Sequence, residues 1–468
     1  MKTNQEKIRN STIKRTFRIS TIEGVFAHVY GILVLNGNIF VTKLFLILGA
    51  SPLHFSLLSA FAQFSAVFRP LGVAITHRLT QRKRTTIIVA GIGRFLTLFI
   101  GFSLLFHDPV NGIWFILILF LVSQGIQSIA GNIWIAWISD IIPTRIRGRF
   151  FSKRNQILLL VGLIVAYIVS FHVDLFEKNE TSFKQLYLKL IGLQDYFLLQ
   201  NQAKFLGGLF VAASLIGLFG LYFLNKQPEK SKYLKSSDSL RKIYSAPFRD
   251  KNFRLLLLFG VWWMMAVGIG SAFWGPFMLK KLNMSMFEIQ IYGSLSTFAA
   301  LLSYTFWGKF IDRFGNKTTM MICVFLGGVN PMLWLFMTAG NHSIIWFEAF
   351  SAGFMWSATG IVMTNFVLSI AKKRQEQVYS GLFGAITGLS MMTSTLLSGV
   401  FFPKTNNLLG FTLEPEQIVF AVGAVARWTA IIPLIFVQER AFRPLRELWI
   451  NFFGYAKFKI SQLRDFKY

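Results

Sequence analysis

Charged residues and cysteine are what this sequence has least of. Only 15% of its 468 residues are charged, against about a quarter in a soluble protein. Acidic residues are the scarcer sign, 20 against 48 Lys and Arg, which leaves a net charge of +28. Such a balance invites a nucleic-acid reading, but the basic residues are spread over short segments and form no separate globular unit. Cytoplasmic loops of a membrane protein account for them, and no nucleic-acid partner is expected. The single cysteine, Cys323, lies in an apolar run, which excludes an intrachain disulfide and a cysteine metal site. Six scattered histidines offer no metal cluster. A phosphate-cradling glycine loop, an HExxH pair and a serine elbow are also missing. Neither enzyme chemistry, a cofactor nor nucleotide-driven pumping is expected.

Hydrophobic residues make up 54% of the chain and aromatics 16%. Apolar runs of eighteen or more residues recur along it, the signature of membrane-spanning helices. Twelve spans are expected. Those of the first half cover about 20–46, 53–75, 85–106, 112–138, 155–171 and 203–224; those of the second cover about 255–279, 287–311, 318–338, 344–370, 379–402 and 417–437. Each can cross a hydrocarbon core of about 30 Å, and only helices can do so as open elements, because lipid leaves exposed amides unsatisfied. The first run is too long for a signal-peptide core and lacks a clear cleavage site, so it reads as a retained span.

Charge placement sets the orientation. The N-terminal tail (Lys2, Lys7, Arg9, Lys14, Arg15, Arg18) and the loops holding Arg78 to Arg84 and Arg145 to Arg154 all fall on one side. The central linker, the loops at 309–317 and 372–374, and the C-terminal tail fall there too. By the excess of positive charge, that side is cytoplasmic and holds both termini. The expected fold is therefore an all-α polytopic membrane protein, two pseudo-symmetric six-helix bundles in the cytoplasmic (inner) membrane. Its parts are a cytoplasmic tail 1–19, a bundle 20–224, a linker 225–254, a bundle 255–437 and a basic tail 438–468. Within the first bundle, 172–202 alternates apolar residues with Lys184, Lys189 and Asp195, which suits an amphipathic helix at the far interface.

The halves look like copies of one unit. Gly308-Lys-Phe-Ile-Asp312-Arg313-Phe-Gly315-Asn-Lys317 closes the second span of the second half; Gly72-Val-Ala-Ile-Thr76-His77-Arg78 closes that of the first. The segment from Gly308 to Lys317 resembles the signature loop of the major facilitator superfamily, a glycine, three residues, Asp-Arg, one residue, glycine and a basic residue. Trp137-Ile-Ser-Asp140-Ile-Ile-Pro143-Thr-Arg145-Ile-Arg147-Gly148-Arg149 resembles the loop after the fourth span in many bacterial members. The first-half loop departs from the pattern, with Thr76 and His77 in place of Asp-Arg and no second glycine. The resemblance implies a secondary active transporter moving a small organic solute by alternating access, with protons as a candidate coupling ion. It also implies a functional monomer among membrane lipids, with gating loops at Gly72, Thr76, Arg78, Asp140, Arg145, Gly308, Asp312, Arg313, Gly315 and Lys317. Two readings stay open beside it: a transport-inactive sensor or scaffold of the same fold, and a membrane-embedded enzyme acting on a lipid-linked substrate.

The resemblance further implies a path between the halves, lined by the first, fourth, seventh and tenth spans. On those spans the polar or breaking residues are Asn36, Gly37 and Asn38; Gln124, Gln127 and Asn132; Trp262, Trp274 and the Gly275-Pro276 step; and Trp356 and Asn365. Amides with tryptophans suit a neutral or amphipathic solute, although interhelical hydrogen bonds and interfacial aromatics explain each residue singly. Ionisable groups inside spans are costly to keep. Arg94 and Arg427 suit structural ion pairing or snorkelling, while Glu23, His28 and Glu348 are the candidate proton carriers.

Overall fold

The computed structural model describes residues 2–35, 37–64, 81–106, 112–177, 182–229, 245, 247–371, 375–404, 407–408 and 411–439. Its first half holds α1 (Lys2–Val34), α2 (Ile39–Ile47), α3 (Pro52–Phe64), α4 (Arg82–Phe106), α5 (Ile113–Ile141), α6 (Thr144–Asp174), α7 (Ser182–Ile191) and α8 (Gln202–Asn225). The second half holds α9 (Lys251–Gly270), α10 (Met286–Leu333), α11 (Ile344–Ile370), α12 (Glu376–Val400), α13 (Pro415–Thr429) and α14 (Ile431–Phe436). The only sheet among the described residues is a hairpin, β1 (Asn407–Leu408) against β2 (Phe411–Thr412), with Asn407 opposite Thr412.

Among the described residues, ten stretches are long and apolar enough to cross a membrane. One of them, Met286–Phe336, is two spans. Gly315 sits inside α10 at φ 86 and ψ 168, a backbone region that essentially only glycine enters, and there the chain reverses direction. Helix α3 is 13 residues long, and the remainder of its expected span lies outside the described residues. Apolar side chains face outward in stripes: Leu160, Ile164 and Ile168, one turn apart along α6, are all exposed. In water such a stripe would be a liability, whereas in a bilayer it costs nothing.

Two expected elements take a different form. The first tail and first span are one helix, α1, and the span then breaks after Val34 before resuming as α2 at Ile39. The reason for the break is local. Gly37 takes φ 88, and the Asn38 side chain accepts the Val41 N–H at 3.0 Å as an N-cap. Helix α7 occupies the middle of the amphipathic segment and exposes Phe183, Leu186 and Leu190 on one side.

The halves repeat one packing scheme. In the first, α1 packs on α6 and α8, and α4 packs on α5 and α8. In the second, α9 packs on α12 and α13, and α10 packs on α11 and α13. Between halves, α3 meets α12 and α6 meets α10, contacts that exchange places under the same two-fold relation. Polar side chains weld neighbouring helices. Arg94 on α4 donates to the Gly217 carbonyl of α8, while Arg427 on α13 donates to the Gly327 carbonyl of α10 at 3.0 Å. Thus the third and last spans of each half are tied arginine to glycine, from opposite partners.

Close approach is sharpest where α10 meets α11. A Cβ on Gly353 would collide with the Ser296 carbonyl oxygen, backbone that cannot swing away. On the same helix, Gly360 has open space around it. Gly353→Ala is therefore expected to lower the melting temperature of detergent-purified protein by an amount matching overpacking, about 1–3 kcal/mol. Gly360→Ala should leave it unchanged or raise it, because alanine is the better helix former. Differential scanning fluorimetry of the two variants side by side checks this.

Candidate functional site between the halves

Both halves interrupt their first span at corresponding places. In the first half one helix, α1, ends at Val34 and the next, α2, starts at Ile39. In the second, α9 ends at Gly270 and passes through Trp274–Pro276 into a wider turn, Phe277–Lys281. Pro276 supplies no N–H to the turn before it, and at the end of α9 the Gly268 carbonyl accepts the Ser271 and Thr395 hydroxyls, each at 3.0 Å. The broken segments pack on each other, with a Cβ on Gly275 only 3.1 Å from Thr42 Cγ2. Between them lies a cavity of about 370 Å³, lined by Gly37, Thr42, Ser59, Ser271, Trp274 and Tyr292 among others. That volume falls within the range of small-molecule sites, and interrupted spans at matching positions of two repeats are where such sites form.

The walls are fixed by packing from behind. Trp274 stacks on Phe420 with centroids 3.9 Å apart and also abuts Trp334 at 4.6 Å. Ser271 meets Thr395 Oγ1 at 2.9 Å and, across the halves, Ser59 at 3.4 Å. Tyr292 lines the cavity and turns its hydroxyl away, donating to Glu348 Oε2 at 2.8 Å. Glu348, 5% exposed, thus stands one side chain behind the cavity wall.

The far face, opposite the basic loops, is where the halves are hydrogen-bonded. Asp174, the last residue of α6, accepts the Met286 and Phe287 N–H groups at 2.7 and 2.8 Å. A carboxylate from one half thereby caps the first turn of α10 in the other, where the helix dipole favours it. Beside it, the Tyr167 hydroxyl donates to Ser294 Oγ at 2.8 Å. Near the basic face the bonds between described residues stay within a half. Asn316 and Lys317 donate their backbone N–H groups to Glu439 at 2.8 and 2.7 Å, and Lys317 Nζ reaches the Ile435 and Val437 carbonyls at 2.5 and 2.9 Å. The signature loop is anchored to the end of its own half by these bonds. Asp312 is exposed, and Arg313 lies 5.2 Å from the Phe314 ring.

The expected site residues divide accordingly. Trp274 lines the inter-half cavity, and Asn38 caps the helix at its edge. Gln127 instead donates to the Ala90 carbonyl at 3.3 Å inside the first half, and Asn132 to the Ser128 carbonyl one turn back at 3.0 Å. Gln124 is half-buried on α5. Trp262 turns away from the path altogether: its indole donates to Thr429 at 3.0 Å beside a broad apolar groove between α9, α12 and α13. Trp356 neighbours Trp263 at 6.2 Å, and Asn365 donates to Asn316 Oδ1 at 3.1 Å near the basic loops. Gln127, Trp262 and Asn365 are thus satisfied on neighbouring elements of their own half. Gly308 has nothing crowding it, and Gly315 makes the turn. Asn36, Gly72, Thr76 and Arg78 lie outside the described residues, as do the side chains of Asp140 and Arg145.

Among the intramembrane charges, Glu23 meets Arg94 at 3.2 Å, with Arg154 Nη2 at 4.0 Å. His28 presses on Gly162 of α6. Sequence reading passed over Tyr292, Asp174, Arg154 as a buried group, and Glu439. Of these only Asp174 carried a signal, an acidic residue at the end of a span.

Tyr292→Phe removes the donor to a buried carboxylate and leaves it short of a partner, worth about 1–3 kcal/mol. Ser59→Ala deletes only the long 3.4 Å contact. Thermal melting in detergent should therefore fall clearly for the first variant and stay near wild type for the second.

The sequence profile of the Major Facilitator Superfamily matches residues 24–395 and, separately, 264–444. A search of curated protein sequences found no match. Among solved structures, the nucleoside transporter NupG superposes with a TM-score of 0.65 at 14% identity, over 91% of this chain and 98% of that one. A D-xylose-proton symporter gives 0.64 at 14%, over 92% and 98%. The xylose transporter XylE from E. coli, inward open, gives 0.60 at 15%, over 94% and 99%. At such identities the likeness is one of fold. With the profile spanning most of its length and its helices forming this fold, the chain belongs to the Major Facilitator Superfamily and is a multi-pass membrane transporter.

Proposed function

We propose that this chain is a secondary active transporter that moves a small organic solute across the cytoplasmic membrane by alternating access, with protons as the coupling ion. The observation that carries the reading is the 370 Å³ cavity between two interrupted spans, one from each half. Support for alternating access comes from the one-sided closure. Asp174 and Tyr167 join the halves at the far face, while near the basic face the signature loop binds only its own half among the described residues. Taking the basic face as cytoplasmic, this is a state open toward the cytoplasm. Rocking the two six-helix bundles about the cavity would break the far-face bonds and make new ones at the other side.

Glu348 is the proposed coupling carboxylate. It is linked to the cavity through Tyr292, whose side chain lines the wall while its hydroxyl donates to Glu348, so a solute against the wall and a proton on the carboxylate would act on one side chain. Glu23, the other buried carboxylate, is engaged by an arginine and lies within the first half. NupG is a nucleoside transporter and a second structural neighbour is a D-xylose-proton symporter, which makes nucleosides and sugars sensible members of a first panel.

Two experiments test this in proteoliposomes. Tyr167→Cys with Ser294→Cys, bridged by a short bis-methanethiosulfonate reagent, should hold the far face shut and cut uptake more than tenfold, with recovery on reduction. The buried Cys323 should not interfere. Equal uptake in the bridged and reduced forms would sink alternating access, and no uptake of any solute in either form would favour a scaffold. Separately, Glu348→Gln should retain solute exchange but lose accumulation driven by an imposed proton gradient. Retained accumulation would remove Glu348 from the coupling role.

A further inference from the structure

A second cavity, of about 170 Å³, is lined by residues of the first half alone, toward the basic face, from α1, α4, α5, α6 and α8. The charged side chains lining it are Glu23, Arg94 and Arg154. All three are nearly inaccessible, with side chains 5%, 7% and 11% exposed. One carboxylate faces two guanidinium groups. Arg94 Nη2 takes Glu23 Oε1 at 3.2 Å, whereas Arg154 Nη2 stands 4.0 Å from Oε2, beyond hydrogen-bond reach. Arg154 is held otherwise: its Nε donates to the Ser20 carbonyl at 3.0 Å, and its guanidinium lies 4.6 Å from the Trp134 ring centroid. A Cβ on Gly24 would strike the Arg154 guanidinium, so α1 is shaped to receive it.

The lining therefore carries one positive charge more than it neutralises. A buried charge without a counter-ion costs several kcal/mol. Donors are also in excess. Arg94 Nε and Trp134 Nε1 are buried and have no acceptor among the described residues. Such orphan donors around a cationic hollow are what an anion would satisfy.

We propose that this cavity binds the carboxylate group of the transported solute, which makes the solute a small organic acid; the proposal rests on the transporter reading above. Charge selects the group. One carboxylate balances the net single positive charge of two guanidinium groups sharing Glu23, whereas a phosphate ester would bring about −1.5 to −2. The planar fork of arginine matches the two oxygens of a carboxylate. Size agrees, because at roughly 30 Å³ per water a hollow of about 170 Å³ has room for a carboxylate headgroup with a few waters. Helices α1 and α5, expected to border the inter-half path, supply Ala27, Gln127, Gly131 and Trp134 to the lining, so the body of the solute would extend from there.

The test is thermal melting of the full chain in detergent at fixed sodium and ionic strength, with chloride replaced stepwise by lactate, succinate or phosphate. Lactate or succinate should raise the melting temperature saturably by several degrees. Trp134→Phe, which keeps the ring but deletes the N–H, should weaken the apparent affinity about tenfold, as expected for one lost charge-assisted bond. Arg94→Lys keeps the charge but not the fork, and should weaken it further. The proposal is overturned if no carboxylate shifts the wild-type melt, or if both variants respond like wild type. Stabilisation by chloride or phosphate alone also overturns it, by assigning the site to a free inorganic ion. Proteoliposome uptake separates the two readings. A carboxylate that stabilises but is not taken up, while a neutral solute is, overturns the proposal and leaves the transporter, whereas no uptake of any solute, charged or neutral, sinks the transporter reading itself.

Discussion

A charge held within a lipid-bounded bundle must find its partner inside the protein, and the architecture of this chain depends on that constraint. Water cannot reach such groups cheaply, so each one fixes the helix that supplies its partner. Arg94 ties α4 to both α1 and α8 through Glu23 and the Gly217 carbonyl. Arg427 ties α13 to α10 through the Gly327 carbonyl. At the membrane edge the rule continues. Lys317 ends on two carbonyls of the closing segment of its half, where a cation suits the helix C-terminus. Apolar packing alone would leave these helices free to slide, since lipid tails are as apolar as their side chains.

The same constraint explains why the halves can be stiff and their junction labile. Within a half the ties are buried and involve charged groups. Between halves the described polar contacts are few: Asp174 over the first turn of α10 and Tyr167 on Ser294 at the far face, and the long Ser59–Ser271 contact at the cavity. A carboxylate on helix N–H groups is a strong contact, but one that water can replace once the face opens. Two rigid bodies with a replaceable seam fit a motion about the seam better than deformation of either body.

Much of the fold was legible in the sequence because the bilayer leaves few options. Apolar run length forces helices, and the loop from Gly308 to Lys317 announced its own turn, which Gly315 makes at φ 86. The broken first span was legible too, since Asn36-Gly37-Asn38 cannot continue a helix comfortably, and its counterpart at Gly275-Pro276 was marked by proline. The site was less so. Trp262 and Asn365 look like path residues on a linear map, yet the first bonds Thr429 beside an apolar groove and the second bonds Asn316 at a loop. Tyr292 shows nothing in sequence to set it apart from eleven other tyrosines; its place between cavity and Glu348 comes from the meeting of α10 and α11.

The sequence by itself determined that this is a many-span helical membrane protein built of two related halves, because hydropathy, loop charge and the signature loop are written in local runs of residues. Which buried charge meets which was decided only by the tertiary structure. Glu23 and Arg94 are 71 residues apart, and Arg154 joins them from a third helix. No periodicity encodes such a meeting; it is fixed by how helices cross, and glycines such as Gly24 set how closely they can do so.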